Sequence, residues 1–405
     1  MNFFRFTPRS FSWLATAVVS AALFVSHAHA QAPVRVDAAD VVPVQEVSSL
    51  PVPAIAAKAW IVVDAVTGQT IAANNLQQQV EPASLTKIMT VYLAFDALKE
   101  KRITADQQVT VSEKAWKTPG SRMFIEPRKP VTVDEILKGI IVQSGNDASV
   151  AMAELLAGTE ETFAQQMTDK AREMGMADTT FRNSTGLPDP QHTTTVRDLA
   201  ILAQRMIEDH PDRYAMYSLR EFEYNNIKQP NRNRLLWADP SVDGMKTGHT
   251  EAAGYCLVSS AQRGERRIIT VLVGATSEAS RAEESLKLLN WSFQNFDTVE
   301  LVAPGQQAVQ AQVWEGKTEV VALGNDKAIM LTVPRNKTGD VRMIASRPDP
   351  LNAPLEKGER VGSLGLTMEG ELLRVVPLYV LEDVERAGFF GRAWDQLRLW
   401  VQDIF

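Results

Sequence analysis

Apolar and polar positions change rhythm several times along this chain, and each change marks an element. Trp60 to Ala65 is apolar, Thr67-Gly68 interrupts it, and Gln69 to Ala73 resumes, which predicts a β-hairpin. Helical spacing follows in Leu85, Ile88, Met89, Tyr92, Leu93, Phe95, Ala97 and Leu98. Ile103 to Val111 reads as a short strand. Thr132-Val133-Asp134-Glu135 is a capping box opening a helix through Ile136, Leu137, Ile140 and Ile141, and Ala148 to Leu156 repeats the helical period. Gly186 and two prolines mark Phe181 to Pro190 as a loop, after which Val196 to Ala203 is helical. Tyr255–Val258 and Ile268–Val273 are apolar strands. Beyond Asn295 the period falls to two, in runs at Ala308–Trp314, Thr318–Leu323, Ala328–Val333, Val341–Ala345, Arg360–Leu366 and Glu371–Tyr379. Short strands at regular spacing predict a small all-β sandwich.

The last stretch, Arg386 to Phe405, is helical again. Phe390, Trp394, Leu397, Val401 and Ile404 share one stripe, widened by Leu399, Trp400 and Phe405; Arg392, Asp395, Gln396, Arg398 and Asp403 take the other side. It is too polar to span a membrane, yet it follows a complete β domain and carries two Trp and three Phe. Lying in a membrane interface fits that pattern better than docking into the chain's own core, with apolar burial rather than basic charge holding it there.

The other end is a secretory leader. Arg5 and Arg9 precede an apolar run from Phe11 to Val25, and Ala28-His29-Ala30 is a small-x-small cleavage site. The predicted order is a signal peptide at 1–30, a linker at 31–53, a catalytic domain at 54–297, the β-sandwich at 298–383 and the amphipathic helix at 384–405. The 405 residues carry a net charge of −7, which argues against nucleic acid as a partner. One cysteine, Cys256, allows no internal disulfide, and five histidines without H-E-x-x-H spacing point away from zinc; no cofactor is expected.

Candidate chemistry begins at Ser84-Leu85-Thr86-Lys87. The spacing puts Ser84 in the first turn of a helix with Lys87 on the same face. A lysine held near another cation and shielded from water can give up its proton and become the base a serine nucleophile needs. An S-x-x-K alone is worth little, since ordinary composition produces about one in a chain this long. Here it is unique and sits among apolar neighbours. Ser144-Gly145-Asn146 is the only S-x-N; Ser144 can relay a proton to a leaving amine, and Asn146 can hold Lys87 and a substrate amide. Lys246-Thr247-Gly248-His249 precedes a strand. Lys246 can bind a carboxylate and lower the pKa of Lys87, and Thr247 can bind the same carboxylate. Gly248 allows close approach of a substrate backbone, and the His249 N–H can join that of Ser84 in holding an oxyanion. A second Lys-Thr-Gly, at 337–339, reads as a polar turn without function. His192 at a helix entry reads as structural.

Taken in order, these motifs resemble the three signatures of the penicillin-binding proteins and serine β-lactamases. The longer strings A-S-L-T-K, S-G-N-D-A, N-S-T-G-L-P and V-D-G-M-K-T-G-H-T resemble the low-molecular-mass D-alanyl-D-alanine carboxypeptidases in particular. The resemblance implies an α/β domain with a five-stranded antiparallel sheet flanked by helices, plus a helical subdomain holding Ser144. It implies that Arg281 helps bind a terminal carboxylate, which residue pattern alone would not suggest. The substrate would be peptidoglycan stem peptides ending in D-Ala-D-Ala, with β-lactams as covalent inhibitors. The enzyme would sit on the periplasmic face of the inner membrane, attached by its C-terminal helix. Two other readings fit part of the pattern. A β-lactamase would need a deacylating carboxylate, and the 181–190 loop offers only Asp189, without an E-x-x-x-N pattern. A non-catalytic cell-wall scaffold would not need the intact motif set.

Overall fold

A computed structural model describes the backbone of residues 50–404 and side chains from 50 to 398. The expected leader at 1–30 and most of the linker lie outside the described residues.

Strands β1 (Ala59–Asp64) and β2 (Thr70–Asn74) form the expected hairpin. Every residue of β1 is buried, because its two faces feed two cores. Ile61 and Val63 pack with the helical side of the domain, and Trp60 and Val62 with Leu288, Leu289 and Phe293 of a long helix on the other side. That two-sided burial is why the strand reads as a continuous apolar run.

From the hairpin the chain enters a 3-10 turn, Ala83–Thr86, and then α1 (Lys87–Lys99). Helix α2 (Val133–Lys138) carries the expected capping box at Thr132 and Glu135 and runs into a π-turn, Gly139–Gln143. Helices α3 (Asn146–Ala157), α4 (Glu160–Glu173) and α5 (Val196–Asp209) follow. Strands β3 (Val242–Thr250), β4 (Gly254–Arg263) and β5 (Arg266–Ala275) complete a five-stranded sheet of order β2-β1-β5-β4-β3, antiparallel throughout, covered on one face by α6 (Glu278–Asn295). The Lys-Thr-Gly strand β3 is an edge, so its outer backbone faces a cleft. Ile103–Val111 is not a strand. It is a loop with one isolated bridge, Gln108–Thr132, and its backbone bonds to the 131–134 segment stop there because that segment turns into helix α2 at Val133.

The C-terminal half begins with β6 (Phe296–Val302), which the sequence pattern missed because it leaves α6 without a turn residue. The six runs expected beyond it are all strands: β7 (Gln307–Gln312), β8 (Val320–Gly324), β9 (Ile329–Pro334), β10 (Val341–Ser346), β11 (Arg360–Met368) and β12 (Glu371–Val380). They form a five-stranded sheet, β10-β11-β12-β8-β7, and a β9-β6 pair around a separate core that includes Leu323, Leu331, Leu364 and Leu378. This domain grips the first through buried polar contacts. The Thr67 and Thr332 hydroxyls meet at 2.6 Å, Thr332 N–H donates to Gln69 Oε1 at 2.8 Å, and Thr298 donates to Asp64.

Helix α7 (Phe389–Ile404) is docked by its polar side. Glu315 N–H donates to Asp395 at 2.8 Å, Gln396 donates to Glu315 at 3.0 Å, and Arg398 lies over the Trp314 ring. Among its described side chains the large apolar ones are exposed, Phe389 73%, Phe390 87%, Trp394 62% and Leu397 49%. No helix among the described residues is long and apolar enough to cross a membrane.

Candidate active site

The nucleophile candidate sits on a strained turn. Ala83 has φ +48°, a conformation that costs a side-chain-bearing residue energy and persists only where the surroundings enforce it. The enforcement comes from two glycines. Gly186, at φ +81°, leaves room for the Ala83 carbonyl, since a Cβ there would lie 1.7 Å from that oxygen. Gly248 on β3 packs on the same turn, where a Cβ would stand 3.3 Å from Ala83 Cβ, Leu85 Cγ and the Pro82 oxygen. Ser84 therefore belongs to a 3-10 turn ahead of α1, not to the first α-helical turn as its spacing suggested.

Lys87 opens α1 and is wholly buried. Its Nζ lies 2.7 Å from Asn146 Oδ1, 2.5 Å from the Thr185 carbonyl and 3.1 Å from Ser84 Oγ. A neutral amine has two N–H donors and one lone pair. In that form the carbonyl and the amide oxygen would take both donors and the lone pair would meet the Ser84 hydroxyl, whereas the charged form donates to it. Burial drives the Lys87 pKa down to about 7, with the Arg232 charge as the next cause, partly opposed by Asp147 and Glu160. A neutral amine is thus accessible near neutral pH, where an ordinary lysine holds almost none. Sequence reasoning assigned the second of these effects to Lys246. Arg232 joins it as a cation that lowers the Lys87 pKa, and the two buried lysines repel one another, with Lys246 pushed well down first by burial and then by the Lys87 charge.

The loop after Phe181 serves this turn. Thr185 supplies a carbonyl to Lys87, the Ser184 carbonyl accepts from Thr90 Oγ1 at 2.7 Å, and His192 Nε2 meets Thr86 Oγ1 at 3.0 Å. Burial lowers the His192 pKa to about 4, so it is neutral and fits the structural part expected of it.

Ser144 ends the π-turn in a left-handed conformation, φ +63°, and Asn146 begins α3. The Asn146 amide is fixed at both ends, accepting from Lys87 and donating to the Pro119 carbonyl at 2.6 Å. Ser144 Oγ is buried and makes no hydrogen bond among the described residues. Asp147, fully buried, accepts the N–H groups of Met123, Phe124 and Ile125, which with the Asn146 N–H to Ser121 O bond of 2.7 Å sets Ser121 on the cleft wall.

The cleft, about 250 Å³, is lined by Ser84, Ser121, Ser144, Arg232, Thr247, Gly248, His249, Tyr255, Glu278 and Arg281. Lys246 is 3% exposed and donates to the Thr247 carbonyl at 3.0 Å. The His249 ring stacks on Tyr255 at 4.1 Å. Arg281, in the first turn of α6, is buried with Nη1 3.5 Å from the Gly248 carbonyl. All nine residues singled out from the sequence therefore converge on one cleft and its floor. Arg232, Ser121, Tyr255 and the Thr185 carbonyl were missed. Arg232 lies in Gln-Pro-Asn-Arg-Asn-Arg, which reads as a solvated loop; only Asn231 and Asn233, bonded to the Leu219 and Gly244 carbonyls, aim it inward.

Comparison with known proteins adds independent weight. A family model described as D-alanyl-D-alanine carboxypeptidase matches residues 45–277, and one described as the penicillin-binding protein 5 C-terminal domain matches residues 296–386. The D-alanyl-D-alanine carboxypeptidases DacC and DacA of Escherichia coli are 43% and 37% identical to this chain, over 85% and 87% of it and 88% and 90% of their own lengths. The crystal structure of penicillin-binding protein 5 from Haemophilus influenzae superposes with a TM-score of 0.80 at 37% identity, covering 83% of this chain and all of that one.

Proposed function

This chain belongs to the D-alanyl-D-alanine carboxypeptidase family, and we propose that Ser84, Lys87, Ser144 and Asn146 carry its reaction while Lys246, Thr247, Gly248, His249 and Arg281 hold the substrate. The enzyme is a serine carboxypeptidase of penicillin-binding type that removes the terminal D-Ala of peptidoglycan pentapeptides through an acyl-enzyme. The single observation that supports the role assignment best is the wholly buried Lys87 Nζ, 3.1 Å from Ser84 Oγ and held by Asn146 Oδ1 and the Thr185 carbonyl.

In this reading Lys87 Nζ takes the Ser84 proton as Oγ bonds to the carbonyl carbon of the penultimate D-Ala. The N–H groups of Ser84 and His249 hold the resulting oxyanion. Collapse breaks the peptide C–N bond, and the proton held by Lys87 passes through the Ser144 hydroxyl to the departing amine. Water, deprotonated by the same lysine, then hydrolyses the ester. Thr247 and Arg281 receive the terminal carboxylate, and an anion there raises the Lys246 pKa against the lowering that burial imposes. A β-lactamase reading has less support. Asp189 accepts from the Gln191 N–H within its own loop and is absent from the cleft lining.

We also place the enzyme outside the cytoplasmic membrane, lying on it through α7, with the catalytic and β domains dividing near residue 297. The outward apolar side chains of α7 and its inward polar clamp favour this over a helix belonging to the core. The test is D-Ala release from a soluble pentapeptide, fluorescent-penicillin labelling and membrane fractionation, for the parent, Ser84→Ala and a Trp394→Glu/Leu397→Glu pair. Ser84→Ala should lose release and labelling together. The helix variant should leave the membrane with peptide turnover intact. Persistent labelling of Ser84→Ala would refute the nucleophile, and membrane retention of the helix variant would refute the attachment.

A further inference from the structure

One carboxylate in the cleft has no part in the proposed chemistry. Glu278 is the first residue of α6, with its side chain 48% exposed. Its Oε2 accepts from Arg234 Nη2 at 2.9 Å, and its Oε1 lies 3.9 Å from Arg281 Nη2. Among the described residues lining the cleft it is the only acid, set among Arg232, Arg281 and the buried lysines. An exposed ion pair of this kind contributes little to stability, so its placement is better explained by what it faces than by what it holds.

On the reading above, the leaving residue delivers its carboxylate to Thr247 and Arg281. Its side chain springs from the carbon next to that carboxylate, so it cannot be far from a group held within 4 Å of the Arg281 guanidinium. Any charge on it lies well inside one Debye length of Glu278 and is poorly screened. We infer that Glu278 sets the charge preference of the terminal-residue subsite. It accepts a neutral terminal D-residue, favours a cationic one and rejects one carrying a second negative charge. The inference rests on the carboxypeptidase reading, but it concerns which terminal residue is removed rather than whether one is.

The full-length enzyme is assayed on three peptides that differ only in the last residue, ending D-Ala-D-Ala, D-Ala-D-Lys and D-Ala-D-Glu. The parent should cleave the D-Lys peptide with a kcat/KM about tenfold or more above the D-Glu peptide, mostly through KM. Glu278→Gln should bring the two within about threefold, and Glu278→Lys should reverse their order, because opposite-charge and like-charge contacts exchange places. Both variants should keep penicillin labelling of Ser84. A D-Lys to D-Glu ratio unchanged in both variants, with the D-Ala peptide still cleaved, would overturn the Glu278 inference alone. Failure of the parent to cleave the D-Ala peptide would overturn the carboxypeptidase reading and this inference with it.

Discussion

Lys-Thr-Gly occurs twice in this chain, and the two copies have nothing in common beyond their letters. Lys246-Thr247-Gly248 lies on the edge strand of the catalytic sheet, its lysine almost wholly buried and pushed well below an ordinary pKa by burial and by the Lys87 charge. Lys337-Thr338-Gly339 lies at a 3-10 turn of the β domain, where Lys337 pairs with Asp340 at 3.1 Å and Glu369 at 3.2 Å and its pKa is raised by those bonds. The glycines differ as sharply. Gly248 presses on the turn that carries Ser84, while Gly339 has no atom within 4 Å of where a Cβ would be. A motif acts through its surroundings: the same amine is an exposed, paired cation in one place and a buried group on the cleft strand in the other.

The comparison can be broken most forcefully by deleting each lysine. Lys246→Ala should lower kcat/KM for a pentapeptide by about 10²- to 10³-fold, since it removes a buried charge that meets the substrate anion. Lys337→Ala should stay within about twofold of the parent, as most exposed substitutions do. Equal losses in steady-state kinetics would mean the two copies are not functionally distinct.

A gentler form of the same comparison uses the glycines. Gly248→Ala should slow acylation about tenfold or more, because the added methyl shifts the Ser84 turn and small displacements of a reacting group are costly. Gly339→Ala should leave acylation unchanged. Stopped-flow measurement of penicillin acylation separates the two, and an unaffected Gly248→Ala would show that the turn has slack.

Much of this was legible in advance. Two-sided burial makes β1 a continuous apolar run, so individual elements and the β domain could be read from the pattern, while the arrangement of the catalytic domain came from its resemblance to the family. The three motifs were readable because their side chains are few, ordered and spaced on recognisable elements. What escaped was whatever depends on backbone shape or on distant contact. The left-handed Ala83 and Ser144, the π-turn at Gly139–Gln143 and the close approach of Gly186 to Ala83 leave no periodic trace. Arg232 carries no sequence signal because the asparagines that flank it act through carbonyls elsewhere in the chain. The helix α7 was legible as amphipathic, but the protein contacts of its polar side were not, since the partners Trp314 and Glu315 lie in a β-domain loop.

The smallest expected effect concerns the cation next to Lys87. Because Lys87 must be neutral to act, activity should fall as pH drops through about 7, where its proton returns. Arg232→Gln removes a charge that lowers the Lys87 pKa, so the acid limb of the acylation rate should move to higher pH, with the plateau above it less affected. Lys337→Gln should leave the limb where it is. A limb that moved to lower pH in Arg232→Gln would contradict the assigned sign.

The claim on which the rest depends is that Lys87 is a neutral base at working pH. It can be observed without turnover by labelling lysine side chains with ¹³C, assigning the Lys87 signal by its loss in Lys87→Met, and following it by NMR across pH. A titration near the value of about 7 set by burial and Arg232 is expected, against about 10.4 for an ordinary lysine. A Lys87 signal that stayed protonated up to the ordinary lysine range would contradict the mechanism.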